Sequence, residues 1–195
     1  MNPELNKEFK RKTFHCLSLV YLGIYLRWGR WPSAAVLCAW IPIEGAVEFF
    51  RLRRPELNAL LMKSFGGIHR ESEIGRISGI FWTTLGCLGT IALFGERPPV
   101  VCAAIAYLAF GDGVAALAGR AWGTWKWPWF GGKKSVQGST ACFAACGVSG
   151  WAAGLPPSAL FVGAAAATVL ELLPLPIDDN FWIPLLSAAV VRFFV

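Results

Sequence analysis

Residues 98–118 read PPVVCAAIAYLAFGDGVAALA, an apolar run broken by one carboxylate, Asp112. A run of about 20 apolar residues crosses the roughly 30 Å hydrocarbon core of a bilayer. A carboxylate at that depth costs about 2.5–3.5 kcal/mol on insertion scales, so by default it marks a functional position. Gly111 and Gly113 flank it and would let another backbone or a phosphate come close. Directly downstream, residues 119–138 form a basic, glycine-rich loop containing Gly131-Gly132-Lys133-Lys134-Ser135. An embedded acid followed by a cationic loop points to phosphate chemistry at a membrane face.

The rest of the chain supports a membrane reading. Of its 195 residues 55% are hydrophobic, ten are Trp, and the mean hydropathy is +0.51. That is too apolar for an ordinary soluble domain. Apolar stretches at Phe14–Leu26, Pro32–Phe50, Ile77–Phe94, Pro98–Ala118, Ser139–Ala153, Pro156–Leu173 and Phe181–Val195 predict an all-α bundle of six to seven transmembrane helices. Residues 1–195 read as one integral membrane domain without a linker or an internal repeat. Residues 1–12 read as an amphipathic lead-in, and Phe14–Leu26 lacks a small-residue cleavage site. In the loop at residues 51–76, Leu57, Leu60, Leu61 and Phe65 lie at helical spacing, and Gly66-Gly67 would end that helix.

Orientation follows from the cations. With the N-terminus in the cytoplasm, 14 of the 18 Lys and Arg fall in cytoplasmic segments; only Arg27, Arg30, Arg97 and Arg192 do not. The net charge of +6 is then accounted for by anionic lipid and a polyanionic substrate, with no nucleic acid needed. Trp122, Trp125, Trp127 and Trp129 suit the membrane–water interface. Cys16, Cys38, Cys87, Cys102, Cys142 and Cys146 lie in or beside apolar runs and form no CxxC pair, so they read as small packers, not zinc ligands.

In this topology the embedded acids share one half of the bilayer. Asp112 lies six residues from the inner end of its span, about 9 Å deep at 1.5 Å per residue. Glu44, Glu48 and Glu171 also lie toward inner ends, His15 opens the first span, and Asp178-Asp179-Asn180 sits in the last inner turn. A single inward-opening polar site explains that clustering. A transporter would need polar residues continuing through the outer leaflet, and a non-catalytic scaffold would gain little from a glycine-flanked Asp112. Glu48 has a simpler reading too, as the partner of Arg51 one turn on.

Several of these stretches resemble one family. Residues 111–123, GDGVAALAGRAWG, resemble the GDxxAxLxGRxxG motif of the CTP-dependent lipid kinases: dolichol and polyprenol kinases, phytol and farnesol kinases, and fungal-type diacylglycerol kinases. Residues 133–139, KKSVQGS, resemble that family's KKSxEGS element, with Gln137 where Glu is usual. Glu171-Leu172-Leu173-Pro174, then Asp178-Asp179-Asn180 and Pro184, resemble its ExxP…DN…P tail, and the Arg11/Lys12…His15 opening and the Glu48/Arg51 pair also look like the family. A more distant likeness is to the phosphatidate cytidylyltransferases.

The resemblance implies phosphoryl transfer from CTP to the hydroxyl of a lipid alcohol, whether diacylglycerol, phytol, farnesol or a polyprenol, giving lipid phosphate and CDP. A divalent cation, Mg²⁺ by preference, would be held by Asp112 with Asp178 and Asp179. Gly111, Gly119, Arg120, Lys133, Lys134, Ser135, Gly138, Ser139 and Asn180 would bind the nucleotide. Arg120 would also stabilise developing charge, and Glu171, Glu48 and His15 are the candidate general bases. The alternative is a cytidylyltransferase that releases pyrophosphate. The bilayer is the expected environment, and a homo-oligomer is compatible with the reading.

Overall fold

The computed structural model describes residues 16–64, 74–130 and 134–195. The lead-in at residues 1–12 with Arg11 and Lys12, Phe14, His15, Phe65, Gly66-Gly67, Gly131, Gly132 and Lys133, named above, lie outside them. Among the described residues every regular element is helical apart from one isolated antiparallel bridge, Lys126 to Ser135.

The α-helices among the described residues are α1 (Ser18–Trp28), α2 (Arg30–Arg53), α3 (Pro55–Ser64), α4 (Gly79–Phe94), α5 (Pro98–Ala106), α6 (Gly113–Trp122), α7 (Val136–Ala152), α8 (Pro157–Leu172) and α9 (Asp179–Arg192). Between α5 and α6 the chain continues as a π-helical segment, Tyr107–Asp112. Among the described residues the seven apolar stretches fall largely in helices, and α3 is the short helix expected from the leucine spacing. Residues Pro98–Trp122 and Arg30–Arg53 are long and apolar enough to cross a membrane; Gly79–Phe94 and Pro157–Leu172 are shorter apolar helices of 16 residues each.

The long helices play different parts. The most apolar window of Pro98–Trp122 is 72% buried. It is the central strut, touching α1, α4, α7, α8 and α9. Prolines at its first two positions suit a helix start, where no N–H partner is missing. The corresponding window of α2 is only 22% buried, and α2 is inverted relative to a helix of a soluble domain. Its buried residues include Ser33, Glu48 and Arg51, whereas Trp31, Trp40, Ile43, Val47, Phe49 and Phe50 are exposed. An apolar face of that extent is a liability in water and is well solvated by lipid tails.

Small residues set the close approaches. A Cβ on Gly86 of α4 would meet the Asn180 carbonyl oxygen at 2.8 Å and that of Phe181 at 2.9 Å, so α9 rests its first turn on this glycine. The Tyr107 ring is wedged between α7 and α8 at Gly150 and Gly163, with its hydroxyl 2.7 and 2.8 Å from where their Cβ atoms would lie. Without a hydrophobic force between helices in lipid, such contacts supply much of the association energy. At one end, Gly29 (φ 78°) turns α1 into α2, while Tyr25 donates to the Gly95 carbonyl (2.9 Å) and Arg30 to that of Ala92 (2.6 Å). This knot ties the α1–α2 turn to the α4–α5 turn.

Candidate active site

Lys134 is the hub. Its ammonium forms an ion pair with the Glu171 carboxylate near the end of α8. The Lys134 side chain is 33% exposed and that of Glu171 5%, so the pair has one wet side and one dry side. Burial alone would push the Lys134 ammonium down. The carboxylates of Glu171, Asp112 and Asp179 outweigh that and hold it above its ordinary value. Three acids from three segments therefore act on one lysine.

Each acid is positioned by a local device. Asp112 ends the π-helical segment and is 2% exposed. The wide π turn inserts an extra residue into an otherwise α-helical strut, a distortion often found at functional sites. The two glycines beside Asp112 divide the role expected of them. Space around Gly113 is open, as a close-approaching ligand needs, but Gly111 is filled by the Cys146 sulfur, with a Cβ there only 2.5 Å away. Gly111 is thus a packing glycine, and buried Cys142 and Cys146 are packers as read from the sequence.

The turn before α9 separates its two aspartates. Ile177 adopts φ 71°, an unusual conformation for a β-branched residue. The Trp182 indole N–H holds the turn through the Pro176 carbonyl at 2.5 Å. Asp178 caps α9, its Oδ1 accepting from the Asn180 backbone N–H at 3.0 Å. Asp179 is the residue whose charge reaches Lys134 and Glu171. Its Oδ1 is buried without a hydrogen-bond partner, and so is Oδ1 of Asn180, whose Nδ2 donates to the Gly79 carbonyl at 3.2 Å. Buried acceptors rarely go unmatched. Two unmatched hard oxygen acceptors in one turn suit the chemistry of a magnesium ion, which takes one or two carboxylates and completes its shell with water and phosphate oxygens. Among the described residues no three His, Cys, Asp or Glu side chains form a ready-made metal cage, so such an ion would draw ligands from its substrate.

The basic loop begins later than its composition indicated. Gly119 and Arg120 remain helical in α6, because α6 and α7 cross at glycines. A Cβ on Gly138 would lie 2.8 Å from the Ala115 carbonyl oxygen and 3.4 Å from the Gly119 Cα. Ser135 caps α7, its Oγ accepting from the Gly138 N–H at 3.1 Å. Ser139 Oγ donates to the Ser135 carbonyl and accepts from the Trp127 indole N–H, both at 3.1 Å. These two hydroxyls shape the α7 start. Arg120 is exposed at the end of α6. Gln137, the departure from the family pattern, accepts from the Trp125 N–H (3.3 Å) and donates to Thr124 Oγ1 (2.7 Å). An amide can do both and a carboxylate cannot. That role was invisible in the sequence, where position 137 showed only Gln in place of the usual Glu.

Glu48 lies in a clamp of its own. Its Oε2 accepts from Arg51 Nη2 (2.5 Å) and from the Ser78 N–H (2.9 Å), and its Oε1 from Arg51 Nε (3.2 Å). Arg51 also binds Asn58 Oδ1 (3.1 Å) and the Arg76 carbonyl (2.7 Å). The clamp fastens the end of α2 to α3 and to the approach to α4. Glu44, a turn deeper, accepts from the Trp40 indole N–H (2.7 Å) and Thr84 Oγ1 (3.0 Å), with Tyr21 bound to the same Thr84 (2.9 Å).

Curated relatives align along nearly the whole chain. Two probable chloroplastic phytol kinases of Glycine max are each 26% identical, over 95% and 97% of this chain, and one of Zea mays is 27% identical over 95% of it. Phytol kinases are distant relatives of this chain. It spans about two thirds of the length of these relatives, 65% of one Glycine max phytol kinase and 66% of the Zea mays one. No family model matches the chain, and no solved structure matches it. The likeness to phytol kinases agrees with the family resemblance of the three motifs, whose residues supply the Lys134 cluster.

Proposed function

We propose that this chain phosphorylates the hydroxyl of a membrane lipid alcohol, using CTP as donor and Mg²⁺ as the ion on the triphosphate. The observation that carries this reading is the Lys134–Glu171 ion pair, with the charges of Asp112 and Asp179 from two further segments acting on the same lysine. The phytol kinase relatives support a prenyl alcohol as acceptor.

Phosphoryl transfer asks for positioning and charge neutralisation more than covalent chemistry. Lys134 and Arg120 hold phosphate oxygens, and the α7 N-terminus beside Lys134 adds its partial positive charge. Asp112, Asp179 and Asn180 would hold the magnesium ion, which when bound would neutralise triphosphate charge. Glu171 keeps Lys134 aimed while the pocket is empty. As phosphate oxygens draw the ammonium away, Glu171 is released to accept the hydroxyl proton. The lipid oxygen then bonds to the γ-phosphorus, the bond to the β-phosphate oxygen breaks, and CDP leaves. Of the other base candidates, Glu48 has both oxygens engaged, and His15 lies outside the described residues.

We read the chain as a multi-pass membrane protein with its N-terminus and pocket on the cytoplasmic side. The outward apolar face of α2 and the placement of cations support that topology. The test is a donor-by-acceptor screen of purified protein in nanodiscs. Four nucleoside triphosphates are offered against phytol, farnesol, diacylglycerol and a long polyprenol, and the phosphorus products are identified. Lipid monophosphate with CDP is the expected result. Pyrophosphate release from lipid phosphate would make the chain a cytidylyltransferase instead.

A further inference from the structure

Residues 125–127 pair with residues 134–136 as a clip. Lys126 bridges to Ser135, the Trp127 N–H donates to the Lys134 carbonyl at 3.0 Å, and the Val136 N–H to the Trp125 carbonyl at 2.9 Å. Trp127 therefore stands directly across the clip from Lys134, the lysine of the phosphate pocket. Gln137 staples the same clip at Thr124 and Trp125.

The Trp127 ring stacks on Trp129, with centroids 5.9 Å apart and planes inclined by 28°. Trp127 is the fixed member, partly buried, with its indole N–H spent on Ser139 Oγ at 3.1 Å. Trp129 is 77% exposed, so one indole face of the stack is open. A tryptophan serving only as an interfacial anchor turns its N–H to headgroups and its ring to acyl chains. Here the Trp127 N–H is spent on the protein and the two rings are stacked, the arrangement of a stacking surface. Lys126 on the same clip adds positive charge.

We propose that the Trp127–Trp129 stack receives the nucleobase of the phosphoryl donor while Lys134 holds its phosphates. This rests on the phosphotransfer reading above and adds a base subsite to it. Stacking is worth about 1–3 kcal/mol per base and tolerates any base, because each presents a π face. The platform thus supplies affinity for nucleosides over bare polyphosphate and discriminates little between cytosine and other bases.

The test compares binding of CTP and inorganic tripolyphosphate to the full chain in nanodiscs by calorimetry, for wild type, Trp129→Ala and Trp129→Phe. Trp129→Ala is expected to weaken CTP about 5- to 150-fold, the stacking energy expressed as affinity, and to leave tripolyphosphate unchanged. Trp129→Phe should recover most of the loss. Equal weakening of both ligands, or none, would overturn the platform and return Trp129 to the membrane surface. Wild type binding both ligands equally would also overturn it while leaving the phosphate pocket intact. Wild type binding neither would remove the pocket and the platform together.

Discussion

At the scale of single residues the account turns on Lys134. Replacing it with Ala removes a charge-assisted contact of about 1.5–3 kcal/mol, so nucleotide affinity should fall about 10- to 150-fold. Titration calorimetry checks this, and an unchanged affinity would remove Lys134 from the pocket. Its surroundings also fix the sign of the pH dependence. A cation whose folded value lies above the ordinary 10.5 contributes fully below that value and loses its contribution only as the pH rises through the higher folded one. Nucleotide affinity owed to Lys134 should therefore be flat between about pH 7 and 9. A decline through that window would mean that the lysine is not held by Asp112, Glu171 and Asp179. The acids themselves were legible in the sequence, because a carboxylate in an apolar run needs a reason. What the sequence hid is which oxygen does what. Asp178 and Asp179 are neighbours of identical chemistry, yet past the turn at Ile177 one is a helix cap and the other acts through its charge on Lys134. Glu48 was ambiguous for a similar reason: its spacing from Arg51 shows a pair, but not that Ser78 takes the remaining contact.

Among the elements, α4 and α9 set the distance on which the pocket depends. The first turn of α9 carries Asp179 and Asn180, and it rests against Gly86 through backbone atoms that cannot swing away. Gly86→Ala should force the two helices apart, at a cost of about 1–3 kcal/mol for an overpacked site. For a chain of this size each kcal/mol lowers Tm by about 2–4 °C. Turnover should fall as well, because Asp179 moves with the helix. Loss of Tm with full turnover per folded molecule would show that α9 has no part in the site. The helices were readable from apolar runs punctuated by proline and glycine. The π-helical segment was not, since Tyr107–Asp112 carries no periodicity of its own. It arises from tertiary fit, with Tyr107 wedged at Gly150 and Gly163 and Gly111 filled by Cys146.

Across the whole molecule, an apolar core is joined to a helix whose outer face is apolar as well. The central strut is buried, while α2 sends its aromatic residues outward and its acids inward. Together with the cation asymmetry, this predicts that the clip at Lys126 and the turn at Glu96 lie on opposite faces of the bilayer. Glu96→Cys and Lys126→Cys, each made with Cys38→Ala, should label with an impermeant thiol reagent from opposite sides of sealed vesicles. Labelling from one side would refute the topology. The sequence speaks to this scale through composition, on which solvation by lipid acts without any contact being known. The convergence of residues 112, 134, 171 and 179 is a property of packing, and the sequence supplied only motifs in order.

The most direct measurement is transfer of the γ-phosphoryl group from labelled CTP to phytol in nanodiscs, by wild type and by Asp112→Asn. Asn keeps the size of Asp112 and removes its charge. Label should enter lipid phosphate with wild type, and the variant, with unchanged Tm, should lose roughly 100-fold or more of the rate. Undiminished transfer by Asp112→Asn would contradict a phosphate pocket organised by that carboxylate.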